Sequence, residues 1–153
     1  MTGLRPESGS VTTEFALGIG LLVLPVALLV LSIPGWVERR AMATVAAQEA
    51  ARTVATDLGG SGDLAASQLV EQIAANHGVD PASVELCLSI HTGGTPAPRG
   101  CDGAAIVGAG DVVTARVTVQ LPALRVPLAG TTLASIAYTA SHSEPVDRYR
   151  SDP

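Results

Sequence analysis

Glu14 stands where an acid is expensive. From Phe15 to Val37 no side chain is charged, and at 1.5 Å per residue such a run is long enough to cross a bilayer. A carboxylate drawn into lipid costs on the order of 3 kcal/mol unless paired, whereas one left at the lip stays hydrated and only marks the edge. Gly9 lies five residues earlier. Cys87 and Cys101 are the other residues with chemistry to offer. Outside the cytoplasm a disulfide is the expected fate, and closing a loop of this size contributes roughly 3 kcal/mol through chain entropy; free buried thiols, or a metal site shared with His91, are the alternatives.

Catalysis finds little to work with. His77, His91 and His142 fall on different predicted elements, with no HExxH or other metal-ligand spacing. His77 suits the C-terminal end of a helix, where the macrodipole favours a cation, and His91 and His142 read as surface residues. Gly108-Ala109-Gly110 is half of a dinucleotide fingerprint, but it precedes a strand instead of a helix. There is no Walker A sequence and no nucleophile elbow, and nothing pairs a serine or aspartate with a base. The expectation is a non-enzymatic chain with no cofactor, no metal and no small-molecule substrate.

The elements that must position these residues follow from hydropathy and spacing. Residues 1–9 form an aperiodic leader, 10–37 a membrane helix, and 38–60 its continuation outside the membrane. The run is longer than a secretory h-region, and the Ala41-Met42-Ala43 triplet follows Glu38-Arg39-Arg40, a poor cleavage context, so a retained helix is expected. Pro25 and Pro34 each remove a backbone hydrogen bond within it, and Trp36 places an indole at the membrane–water boundary. The helix should reach about residue 57, where Gly59-Gly60 stops it. A second helix, capped by Ser61 or Asp63, extends to about His77. Strands are predicted over 84–90 and 113–121 from period-two alternation, with a Gly/Pro-rich loop over 91–110, and a turn from Pro122 to Gly130 leads to a third strand near 132–142, with Leu133, Ala137 and Tyr138 among its members. Residues 61–142 thus make a small domain and 143–153 a frayed tail. The fold class is α+β: a long N-terminal helix, a short second helix and a small three-stranded antiparallel sheet, one face covered by the long helix's tail.

Composition narrows the partners. The 153 residues carry a net charge of −5 and no lysine, so the basic cluster that nucleic acid requires is missing. Aromatics are only 3 % of the chain, so the core must be built from small side chains. Orientation is contested: Arg39, Arg40 and Arg52 after the run outweigh Arg5 and the amino terminus before it, which favours a cytoplasmic C-terminal domain, while the cysteine pair favours the opposite side.

The segment Glu7-Ser8-Gly9-Ser10-Val11-Thr12-Thr13-Glu14-Phe15, followed by the apolar run, resembles a type IV prepilin leader. Glu14-Phe15 is similar to the acid–aromatic pair of the Flp/Tad branch, and Glu38 to Ala55, with Gln48-Glu49-Ala50-Ala51-Arg52, is similar to the stretch that follows the anchor in TadE-like proteins. The resemblance is specific over residues 7–57 and only architectural over the strands. It implies a TadE-like minor pseudopilin of the tight-adherence pilus system, cut by a membrane prepilin peptidase between Gly9 and Ser10. The new amine on Ser10 would then sit one helical turn from Glu14, and a neighbour's amine could pair with that acid to fix the axial stagger between packed helices. The resemblance further implies a cytoplasmic N-terminus, an extracytoplasmic C-terminal domain, and as partners the peptidase, other pilin or pseudopilin subunits and Tad platform proteins. The alternative is an uncleaved, signal-anchored interaction module of the cell envelope.

Overall fold

One helix, α1, runs from Ser10 to Thr56 and passes through Pro25 and Pro34 without ending. The computed structural model describes residues 10–57, 60–91, 101, 107–126 and 131–149; the leader's residues 1–9 and most of the expected 91–110 loop lie outside that set. Along its second half α1 buries Met42, Ala43, Ala46, Ala47, Ala50, Ala51, Val54 and Ala55. These positions recur every three to four residues, so they form one face, and its alanines let the next layer approach closely.

A tight corner turns the chain back. The Asp57 carboxylate accepts the Ser61 N–H at 2.7 Å, and Gly60 takes a left-handed conformation. Helix α2, Gly62–Asn76, then packs against α1. Neither expected cap holds: Ser61 occupies the cap position but caps with no side-chain bond, and Asp63 falls inside the first turn, where its charge complements the dipole. Gly62 is dictated by space, since a Cβ there would meet the Asp57 Cβ at 2.9 Å and the Val54 Cα at 3.1 Å. The far end closes as a Schellman motif. Gly78, at φ +64°, donates to the Ala75 carbonyl and Val79 to that of Ala74, which satisfies carbonyls the helix leaves open.

A 3-10 turn, Pro81–Ser83, leads into the sheet. Its strands are β1 (Val84–His91), β2 (Val112–Val126) and β3 (Thr131–Pro145), antiparallel in the order β1-β2-β3. Val117 faces Leu86 on one side and Ala140 on the other. Val113, Ala115, Val117 and Val119 are fully buried under the helices. Helix α1 lies over β2 and β3, and α2 reaches β1. The domain is therefore two layers, helices on one face of the sheet, as the alternation predicts.

Three expectations need correction. First, Pro122–Val126 extend β2 instead of forming a turn. Pro122 is tolerated because the N and O of a strand residue point to the same side, and its carbonyl is taken by Trp36 of α1, so the missing N–H faces the edge left open where β1 stops pairing at Val119. Second, the C-terminal segment is not frayed from Ser143. Ser143–Pro145 belong to β3, the Thr114 and Ser143 hydroxyls meet at 2.8 Å, and buried Val146 donates its N–H to the Asp111 carbonyl at 2.8 Å. Third, His91 is buried, together with Ser89. Both share a strand face with Cys87, and the disulfide holds Cys101 against that face.

Candidate functional site

The structure places the sequence-predicted residues at two ends of the molecule. Ser10 is the first described residue of α1 and Glu14 follows four residues on, one turn along the same helix face. Gly9 lies outside the described residues. Glu14 and Phe15 are exposed, as are Leu17, Leu21, Leu24, Val26, Leu29 and Leu31 after them. A helix in a soluble core buries at least one face; here the apolar surface is bare on every side from Phe15 to Ala27, a far larger patch than a monomer shows to water. Among the described residues this is the one helix long and apolar enough to cross a membrane, and it fits a single-pass anchor.

Small residues shape that surface. Leu17, Gly20, Leu21, Leu24 and Pro25 line a shallow apolar groove on one side of the helix, and nothing stands within 4 Å of where a Cβ would project at Gly18 or Gly20. Another helix could therefore approach the backbone closely there.

The other end of the apolar run is fastened to the domain by a collar that has no clear signature in the sequence. Trp36 Nε1 donates to the Pro122 carbonyl, and Arg39 Nη1 donates to the Gln120 carbonyl at 2.8 Å. The Arg40 guanidinium stands 5.1 Å from the centroid of the Tyr138 ring, a cation–π distance. Glu38 faces His77, at the end of α2, at 3.7 Å. Four of the five residues from Trp36 to Arg40 thus grip α2, β2 or β3. The only visible signal is the run of polar residues after the apolar segment, which reads equally well as a solvated face.

Cys87 and Cys101 are joined, with Cα atoms 5.0 Å apart. Both sulfurs are thereby committed, which removes free thiols and a thiolate–His91 metal site from the alternatives. Among the described residues the buried His91 Nε2 has no hydrogen-bond partner. Among the described residues no three His, Cys, Asp or Glu side chains gather as a metal site. Comparison with protein-family models, with curated proteins and with solved structures returns no match.

Proposed function

We propose that this chain is a TadE-like minor pseudopilin, a membrane-anchored subunit acting in assembly of a Tad/Flp type IV-like pilus. The observation that carries the reading is one continuous helix, described over Ser10–Thr56, that is bare and apolar from Phe15 to Ala27 and carries Glu14 directly before that stretch. Its second half becomes the spine of a small α+β head. In this reading the chemistry done on the chain is peptide cleavage between Gly9 and Ser10, and the chemistry done by it is packing. The Ser10 amine and Glu14 form the register pair, and the notch around Gly20 and Pro25 receives a neighbouring helix. A lipid-embedded acid has few other routes to compensation.

The head lies on the extracytoplasmic side, because a disulfide persists in an oxidising compartment, and the N-terminus is cytoplasmic. The partners are the prepilin peptidase, other pilin or pseudopilin subunits and the Tad platform proteins, met through the bilayer-embedded helix. N-terminal sequencing of the protein from its native membrane tests the proposal, with Gly9→Leu as control. A chain beginning at Ser10, and an uncut chain in the variant, is the expected result. A native chain still beginning at Met1 would leave the uncleaved envelope module in its place.

A further inference from the structure

Strand β2 runs antiparallel to α1: Gln120 meets Arg39, and two residues later Pro122 meets Trp36. Both β1 and β3 are antiparallel to β2. The two outer strands therefore share one direction, away from the apolar half of α1. In an antiparallel ladder each residue exchanges hydrogen bonds with one neighbour and turns away from the other. The Gln120 and Pro122 carbonyls point to the β1 side, where α1 takes them. By alternation Thr114, Arg116 and Thr118 bond towards β1, and Val113, Ala115, Val117 and Val119 towards β3. Val84 agrees, since its N–H turns to the Pro81 carbonyl and not to β2. The register then leaves the backbone groups of Leu86, Leu88 and Ile90 facing outward on β1, and those of Thr139, Ser141 and Ser143 facing outward on β3.

We propose that the head pairs edge to edge with a second copy of this chain, β3 of one copy lying parallel to β1 of the next. The inference rests on the single-pass anchor reading of α1 and not on cleavage or pilus assembly. Copies held in one bilayer with their heads on the same side present strands that run the same way. A two-fold antiparallel pairing of β3 with β3 would put the second anchor on the opposite side of the head. A parallel pairing of β3 with β3 at equal height would set outward groups against outward groups. Between β3 and β1 they interleave. Val84 and Tyr138 both stand level with Val119, and His91 and Pro145 with Val112. At equal depth Ser141 thus falls between Leu86 and Leu88 of the next copy, and Ser143 between Leu88 and Ile90, as a parallel ladder requires. The edge of β3 also lacks the usual protection: from Ala134 to Ser143 there is no Asp, Glu, Lys, Arg or Pro. Leu86, Leu88 and Ile90 pack on the core yet stay half-buried, and a strand laid beside β1 would cover them further. Because the contact joins two different edges it is heterologous, and it repeats from copy to copy.

The test uses the full-length, disulfide-bonded protein in phosphatidylcholine/phosphatidylglycerol vesicles at low protein density, with a short bis-maleimide as cross-linker. The native cysteines are joined, so only introduced thiols react. Glu85 and Thr139 are exposed and level with Thr118. Glu85→Cys protein mixed with Thr139→Cys protein is expected to give a cross-linked dimer, neither variant alone is, and both substitutions in one chain give a ladder of higher multiples. Adding Ser141→Pro to the Thr139→Cys chain removes an outward N–H without touching the bonds to β2 and should abolish the dimer while sheet circular dichroism persists. Ser143→Pro is the second blocking variant should the first lose its sheet. Equal cross-linking with and without a folded blocking variant overturns the inference, as random collision then explains it. Thr139→Cys protein that cross-links to itself overturns it too, because β3 then faces β3. Glu85→Cys reacting better with Ser143→Cys than with Thr139→Cys means an antiparallel contact and also overturns it. Release of the protein from the vesicles by alkaline carbonate without detergent removes the anchor reading and this inference together.

Discussion

At the level of single residues, two glycines and one indole hold positions that no other side chain fills well. Gly62 leaves no room for a methyl group between Asp57 and Val54, so Gly62→Ala should destabilise the head by about 1–3 kcal/mol through overpacking. Gly78 sits at φ +64° in the Schellman turn, and Gly78→Ala should cost about 1–2 kcal/mol for placing a Cβ in left-handed backbone. Denaturant unfolding of the detergent-solubilised protein reads both losses. Trp36 is the only tryptophan and bonds to Pro122, so its fluorescence reports the collar without engineering. Its emission should change in the same transition that abolishes sheet circular dichroism; a change that precedes sheet loss would mean the collar is not part of the folded head. Trp36→Phe keeps the ring but strands a carbonyl, and should cost about 0.5–1.5 kcal/mol.

Among the elements, the disulfide and the hairpin differ in what they do for the sheet. The bond between Cys87 and Cys101 ties β1 to the chain that leads towards β2. Replacing both cysteines by serine should lower stability by about 3 kcal/mol, measured as a fall in unfolding midpoint that added reductant reproduces in the native protein. The elements themselves are largely legible in the amino-acid order: the charge-free run and the alanine-rich tail specify α1, period-two alternation locates β1 and β2, and the Pro/Gly-rich stretch after them points to a third strand. What escapes is set by partners far away in sequence. Pro122 reads as a turn because its missing N–H argues against a strand interior, and only Trp36, 86 positions away, explains why the strand tolerates it. Ser143–Val146 read as frayed because their partners, Thr114 and Asp111, are bonded through long-range pairing. His91 reads as exposed because it falls at the start of the predicted Gly/Pro-rich loop; β1 extends to include it, on the strand face that carries the Cys87–Cys101 disulfide. The collar is illegible for a similar reason, since tryptophan and arginine beyond an apolar run have the same types whether they meet lipid headgroups or strand carbonyls.

For the whole molecule, one rod belongs to two environments. Its alanine face is the spine of the head, and its leucine-rich opening stretch, Phe15 to Ala27, stays bare. In the proposed function the rod's tip carries an acid one turn from an amine that exists only after cleavage. The intact mass of the polypeptide extracted from its own membrane tests this most directly. The expected mass lacks residues 1–9 and retains the Cys87–Cys101 bond; a mass that still includes Met1 through Gly9 would contradict the processed-pseudopilin reading.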